Sequence, residues 1–353
     1  MQIIELDDND SHAWNSLALS NQEVRFYQLF EYRKVLEEVF NYKSFYLLFK
    51  DNETVIGQLP LFLIKTFLFN KIESIPFSEY GGVVSDCPQK LDFPMIRAYL
   101  SDLMKKNKAD YLEMNAGLGL PESYMKDNFK QFRFHDYAEV ELDSEETVWD
   151  GLDYQVRKAV NKAVRSGITV FEDNSEKGIK KYFYPLFLRS LRRHATPPVS
   201  LSYFLKCKEY FNDGMKIFFA VDSAKVVASL LGFVSGARVY LQLIVSDERA
   251  HDKRPVDLVH WEFIKWAIKN NFRFLDFGLA RYEGQVKYKL KWGTSLKHYN
   301  YYYQSGLNFS EEKITEPLTP LSPKVAFLKK AWRLQLPFIQ DSIGPWIRWN
   351  LAK

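Results

Sequence analysis

Four basic residues follow a predicted buried strand in the second half of the chain. The apolar run Phe272–Phe277 has the length of a strand, and the segment after it contains Arg281, Lys287, Lys289 and Lys291. Guanidinium and ammonium groups bind phosphate and carboxylate groups through charge-assisted hydrogen bonds. The segment therefore predicts an anion-binding edge, although a solvated, charged rim on a packed crossover has the same composition.

The residues before this segment form one strand–loop–helix–strand unit. Tyr240–Val245 predicts a strand, Ser246–Pro255 a polar loop, and Val256–Asn270 a helix with a wide apolar face. Pro255 suits the first helical turn, because a proline there loses no hydrogen bond. The N-terminus of this helix opens towards the loop, and its N–H groups attract anions.

Length and composition limit the possible classes of protein. The 353 residues suffice for two domains, and a hydrophobic content of 46% provides their cores. The net charge of +4 is compatible with an anionic partner but does not indicate DNA. The two cysteines and six histidines show no metal-ligand spacing, so no metal is expected. Without a signal-peptide pattern or a run of transmembrane length, the sequence predicts a cytoplasmic protein.

The order of predicted elements in the first half recurs in the second. The first half has a hairpin (Ser44–Lys50, Thr54–Ile64), a helix (Lys90–Lys106) and a strand (Ala109–Asn115). The second half has a hairpin (Lys216–Val221, Lys225–Val234) followed by the unit described above. We therefore predict two similar α/β domains, residues 1–146 and 147–310, followed by a helical tail, residues 311–353.

A basic stripe opens the second half. In the predicted helix Asp150–Gly167, the basic residues Arg157, Lys158, Lys162 and Arg165 recur at helical spacing. They form either a solvated face or the wall of a cleft. Nucleotide-binding glycine motifs and the hydrolase elbow are absent, and DFG at 276–278 lacks the other kinase elements. Gly81 and Gly82, after Tyr80, mark a turn or a close approach to a ligand.

Several segments together resemble a known family. They are VIGQLPLFLIK and IPFSEYGGV in the first half, and YQVRKAVNKAVRSGITV, IVSDERAHDKRPVDLVHWEFIKWAI, FLDFG and KYKLKWG in the second. Their order resembles the GNAT acyltransferase fold. Two such domains in tandem resemble the Fem peptidoglycan bridge aminoacyltransferases and their FemAB-like relatives in exopolysaccharide systems. The resemblance implies an α/β protein with two tandem GNAT-like domains, each a mixed β-sheet flanked by helices, and a C-terminal helical tail.

The resemblance also implies an activity for this chain. That activity is transfer of an acyl or aminoacyl group to an amine on a cell-envelope glycan or peptidoglycan-type precursor. The donor would be acyl-CoA or aminoacyl-tRNA, and the acceptor an anionic small molecule or a lipid-linked glycan. The alternative is a non-catalytic GNAT-like protein that binds a sugar-phosphate or an envelope-assembly partner.

Site residues follow from the same resemblance. The family's aromatic–lysine motif falls on Tyr288 and Lys289, so Lys289 is the candidate for stabilising the oxyanion of the transfer step. Asp276, at a strand end, would accept a proton or cap a turn. The candidates for phosphate and substrate contacts are Arg157, Lys158, Arg281, Tyr80 and Tyr288. We expect Arg157 and Lys289 to face one cleft.

The end of the chain combines tryptophan with basic residues. From Lys324 onwards it contains six basic residues and one acid, Asp341. Pro337 and Pro345 predict two or three short helical pieces. This composition is typical of an interfacial segment, which would give a peripheral contact with the inner face of the membrane. A helix that packs on the second domain is the other interpretation.

Overall fold

The protein folds into two compact units, seen in a computed structural model that describes residues 1–7, 10–21, 23–66, 70–115, 120, 122–306 and 330–351. Within these ranges, the first unit comprises residues up to 134, residues 299–306 and residues 346–351. The second comprises residues 135–298 and 330–345. The predicted domain boundaries, 146/147 and 310/311, stay predictions.

The first unit is a mixed sheet flanked by helices. Its strands are β1 (Gln2–Glu5), β2 (Lys43–Asp51), β3 (Thr54–Lys65), β4 (Asn70–Glu73), β5 (Tyr111–Asn115) and the end of β12 (Ser295–Ser305). They pair in the order β1-β2-β3-β4-β5-β12, and only β4–β5 is parallel. The helices are α1 (Ser11–Ser20), α2 (Phe30–Phe40), α3 (Phe93–Asn107) and α4 (Glu122–Lys126).

The second unit repeats this arrangement. Its strands are β6 (Lys130–Glu141, from His135 on), β7 (Thr169–Glu172), β8 (Met215–Asp222), β9 (Lys225–Ser235), β10 (Arg238–Ser246) and β11 (Phe274–Ala280). They pair in the order β7-β8-β9-β10-β11-β6, and only β10–β11 is parallel. The helices are α5 (Glu145–Gly151), α6 (Tyr154–Arg165), α7 (Glu176–Gly178), α8 (Tyr184–His194), α9 (Leu201–Phe211), α10 (Pro255–Lys269) and α11 (Glu283–Leu290).

The predicted duplication is confirmed, even in the irregularities of the sheets. Pairing of β2 with β3 skips Ile56, and pairing of β8 with β9 skips Val227. Each is a one-residue bulge, which bends a strand and raises its twist. The two bulges occupy the same place in their hairpins, so the two halves share register as well as element order.

The last strand of each unit departs from the order of the sequence. β6 follows β5 along the chain but pairs with β11, whereas β12 follows β11 and pairs with β5. Each unit is therefore completed by a strand from the other half of the sequence. Hydrophobic periodicity gives no sign of this exchange, because it does not encode the choice of a pairing partner.

Two local predictions need adjustment. The predicted helix Asp150–Gly167 is two helices, α5 and α6, because the Asp153 side chain caps a new helix by accepting from the Gln155 N–H. The described part of the predicted tail is helical at residues 330–333 and again over α12 (Pro337–Leu351). Pro337 is the first residue of α12, but Pro345 lies inside that helix and does not divide it.

Burial on α10 follows the predicted apolar face. Leu258, Val259, Phe263 and Ile264 are buried in the core of the second unit. The helix packs across β8, β9 and α6, which fixes its N-terminus beside the end of β10. Among the described residues, no helix is both long enough and apolar enough to cross a membrane.

Candidate active site

The second unit has an open cleft between its two parallel strands. β10 pairs with β11 only over Arg238–Tyr240, although both strands continue beyond this stretch. A register shift between Leu241 and Leu243 lies at the same point. The cleft has a volume of about 650 Å³ and lies beside the carboxyl ends of these strands. Ligands of open α/β sheets bind at such ends.

The cleft walls come from α8, β10, α10, β11 and α11 of the second unit and from the loops before α10 and α11. Its apolar lining includes Phe187, Leu191, Leu241, Leu243, Ile244, Val256 and Phe277. Its polar lining includes Ser190, Arg193, His194, Ser246, His251, Arg254, Asp257, His260, Tyr282, Tyr288 and Lys289. An apolar cavity with a few polar groups is the usual form of a small-molecule site.

His260 places a neutral imidazole in the cleft wall. Its side chain is 3% exposed, and its Nδ1 lies 3.0 Å from the Val256 carbonyl oxygen. A carbonyl oxygen only accepts, so Nδ1 carries the hydrogen and Nε2 keeps its lone pair. Burial lowers the pKa of His260 to about 4, and the positive charge of Lys289 acts in the same direction. At neutral pH the Nε2 lone pair is therefore free, and the low pKa makes it a weak base whose protonated form readily gives the proton away.

Lys289 holds the end of β11 in place. Its Nζ donates to the carbonyl oxygens of Phe277, Gly278 and Leu279 at 2.6, 2.8 and 2.7 Å. An ammonium group has three N–H donors, and these three bonds use them all. The bonded carbonyls lie where pairing of β11 with β6 shifts register, so Lys289 stabilises an irregular strand end.

Asp276 stabilises the same strand end from within the core. Its Oδ1 accepts from the Gly278 N–H at 2.7 Å, and its side chain is fully buried. Gly278 has φ +74°, a conformation that favours glycine. Asp276 therefore caps a turn, which is one of its two predicted roles, and it is not among the residues that line the cleft.

Comparison with known proteins agrees with this architecture. Residues 152–290 match the family described as an acetyltransferase (GNAT) domain. The structure of FemX is similar over 85% of this chain and 97% of that chain, with a TM-score of 0.69 and 14% identity. The chain has the tandem GNAT fold. No curated protein matches the sequence.

Two further solved structures are similar in fold to this chain. The C-terminal domain of a putative lysylphosphatidylglycerol synthetase from Agrobacterium fabrum has a TM-score of 0.59 at 11% identity, covering 87% of this chain and 95% of that chain. A tandem GNAT protein from the clavulanic acid biosynthesis pathway has a TM-score of 0.57 at 11% identity, covering 86% of this chain and 98% of that chain. Identities this low establish the fold alone.

A guanidinium group with two imidazoles beside it lies at one end of the GNAT cleft. Arg193 Nη2 lies 3.0 Å from His194 Nε2, and Arg193 Nη1 lies 3.3 Å from His251 Nε2. Ser246 Oγ lies 2.8 Å from the same His251 nitrogen. Within the described part of the chain, no carboxylate pairs with Arg193. A guanidinium group without an acidic partner is suited to binding phosphate or carboxylate. The basic run Arg192–His194 is the sequence signal for this cluster, although none of its residues is among the predicted site residues.

Two predicted site residues line the cleft, Tyr288 and Lys289. The predicted phosphate ligands lie outside its lining. Arg157 donates to the carbonyl oxygens of Trp149 and Asp150, at 3.4 and 3.0 Å, and so caps the end of α5. Lys158 is exposed on α6. The roles predicted for Arg157 and Lys158 in substrate binding stay predictions.

The other two predicted contacts also lie elsewhere. Arg281 is exposed before α11, and its backbone N–H donates to Gln285 Oε1 at 2.8 Å. Tyr80 belongs to the first unit, where it is fully buried with the Arg25 guanidinium 5.1 Å from its ring centre.

In the first unit, the position that corresponds to the cleft lies between β4 and β5, and Ser74 and Gly81 pack there. Pairing of β4 with β5 ends at Glu73, and the Asn115 N–H then donates to Ser74 Oγ at 3.0 Å. Gly81 packs against Ser74 so closely that a Cβ atom would lie 2.8 Å from Ser74 Oγ. The close approach at Gly81 is therefore to the protein itself.

Proposed function

We propose that the second unit is an acyl- or aminoacyltransferase that uses the cleft between β10 and β11. The observation that carries this proposal is the combination, in one cleft, of an apolar wall, a guanidinium group without an acidic partner and a neutral buried imidazole. The match to the GNAT acetyltransferase domain supports it. The donor is acyl-CoA or aminoacyl-tRNA, and the acceptor is an amine on a cell-envelope glycan or peptidoglycan-type precursor.

The proposed step needs few groups from the protein. The amine nitrogen of the acceptor attacks the carbonyl carbon of the donor, and a C–N bond forms as the C–S or C–O bond of the donor breaks. His260 Nε2 accepts the proton that the amine loses and passes it to the leaving sulfur or oxygen, which returns His260 to its neutral form. Holding both reactants in one cleft lowers the entropic part of the barrier.

Charge is distributed to suit an anionic donor. Arg193 and His251 would contact its phosphates at one end of the cleft, while its acyl group enters the apolar part near Leu243 and Phe277. For Lys289 to stabilise the oxyanion, it must release one of its three carbonyl partners. The structure therefore supports His251 and Arg193 as donor contacts more directly than it supports Lys289 as an oxyanion group.

The test is label transfer by the purified protein. Radiolabelled acetyl-CoA, or tRNA charged with labelled amino acids, is incubated with the protein and a panel of amine-bearing muropeptide and amino-sugar acceptors. We expect acid-stable label on an acceptor, and a loss of about 10–100-fold in kcat/KM for Arg193→Ala, because a charge-assisted phosphate contact is removed.

Arg97→Ala is the matched control, since Arg97 is exposed on α3 of the first unit. Equal losses in both variants would contradict the assignment of Arg193. Donor binding without transfer to any acceptor would favour the non-catalytic alternative, and absence of both would contradict the proposed function.

A further inference from the structure

The C-terminal segment 330–345 is fixed to the second unit by specific contacts. The Asp341 carboxylate pairs with the Arg192 guanidinium of α8. Within the segment, Gln340 Nε2 donates to the Trp332 carbonyl oxygen at 2.6 Å. Gly344 packs on Pro198, where a Cβ atom would lie 2.4 Å from Pro198 Cδ. The segment therefore has a defined position on this unit.

Despite these contacts, the segment leaves large apolar side chains in water. Leu334 is 79% exposed, Leu336 57% and Ile343 43%. A folded chain gains free energy by burying leucine and isoleucine, and it usually exposes them singly. Three such residues lie in this one docked segment. Covering them with apolar material from outside the chain would therefore gain free energy.

Basic residues lie beside these apolar side chains. Lys330 and Arg333 are exposed, and neither is ion-paired within the described part of the chain. Asp341 is the one acid from Lys324 to the end of the chain, and its charge is already neutralised by Arg192. The segment therefore presents positive charge together with leucine, which is the combination that anionic bilayers attract.

The segment is attached next to the cleft. Arg192, which holds Asp341, is adjacent on α8 to Arg193, which lines the cleft. Both residues belong to the second unit. A surface that binds segment 330–345 would therefore lie close to the cationic end of the cleft.

We propose that segment 330–345 binds the surface of an anionic lipid bilayer. Leu334, Leu336 and Ile343 enter the boundary between headgroups and acyl chains, while Lys330 and Arg333 contact anionic headgroups. A protein partner fits less well, because lysine is depleted from the centres of protein interfaces. The contact places the cleft at the membrane, where a lipid-linked acceptor would be found. It does not depend on the proposed transferase activity.

Vesicle co-sedimentation of the full chain tests this proposal. The vesicles are phosphatidylcholine alone, or phosphatidylcholine with phosphatidylglycerol, at low and high salt. We expect binding only to the phosphatidylglycerol vesicles and weaker binding at high salt. Reversing both charges in Lys330→Glu/Arg333→Glu should weaken binding by about thirtyfold or more. Leu334→Ser/Leu336→Ser should weaken it by about tenfold or more.

Matched controls come from exposed residues of the first unit. Lys105→Glu/Lys106→Glu changes the net charge by the same amount on α3, and Leu19→Ser removes an exposed leucine. Both controls should bind as the wild type does. Three outcomes would overturn the proposal: no binding to anionic vesicles, equal weakening in the two charge-reversal variants, or a leucine variant that changes only the oligomeric state in light scattering.

Discussion

His260 shows how burial, together with the charge of Lys289, keeps one imidazole neutral. Its pKa is lowered to about 4 from a usual value of 6.5, chiefly by loss of solvent. The folded protein therefore binds fewer protons at this site than the unfolded chain does between these pH values. By linkage, the stability contributed by neutral His260 is complete above about pH 6.5 and is lost as the pH falls towards 4.

This difference predicts the behaviour of His260→Asn, which keeps a donor for the Val256 carbonyl but removes the Nε2 acceptor. Between neutral pH and pH 4, the wild type should lose on the order of 3 kcal/mol more unfolding free energy than the variant. The transfer rate of the variant at neutral pH should fall by roughly 10²–10⁴. Denaturant titrations across this range and single-turnover rates check the two effects.

His12→Asn is the control, because His12 is exposed in the first unit. Parallel stability curves for wild type and His260→Asn would show that the imidazole is not buried in neutral form. A full transfer rate in His260→Asn would remove it from the proton transfer.

At the scale of elements, the end of β11 is held by Lys289 and Asp276, the two residues that the sequence predicts to be catalytic. Three carbonyl bonds from Lys289 and one carboxylate bond from Asp276 fix the turn at Gly278. Phe277, within this turn, lines the cleft. The shape of one cleft wall therefore depends on Lys289, whether or not it contacts a substrate.

Lys289→Ala should lower turnover by roughly two to three powers of ten, the size expected for loss of a group that stabilises the transition state or positions the site. It should also lower the unfolding free energy by about 1–3 kcal/mol, because part-buried carbonyls lose a charged donor. Lys287→Ala, on the same helix but exposed and paired with Glu283, should change neither. Lost turnover with full stability would favour direct contact with the oxyanion, and unchanged turnover would exclude Lys289 from the mechanism.

At the scale of the molecule, the exchange of β6 and β12 makes each unit depend on the other half of the sequence. A fragment of residues 1–146 contains β6 but lacks β12, so the edge of β5 is left without its native partner. A fragment of residues 147–310 lacks β6 in the same way. Unpaired edges promote association with other strands.

The two fragments should therefore complement each other. When co-expressed with a tag on one of them, they should co-purify and melt in one transition near that of the full chain. When expressed singly, each should aggregate or melt at a lower temperature. Two fragments that stay separate and each melt cooperatively at the temperature of the full chain would contradict the strand exchange.

The sequence predicted those parts of the molecule that depend on local signals. The apolar face of α10 and the matched hairpins follow from periodicity, and motif resemblance located Tyr288 and Lys289 in the wall of the cleft. The sequence did not predict the contact between Arg193 and His251. These residues are far apart along the chain, and only tertiary packing brings them together. The pairing of β6 with β11 was missed for the same reason.

The close packing at Gly81 and the exchanged strands together limit how this chain can evolve. One copy of the repeat is closed at Gly81 between its parallel strands, yet it supplies β6 to the copy that contains the cleft. Deleting the closed copy would remove a strand from the other copy. The two copies must therefore be inherited together, even though the described cleft lies in the second.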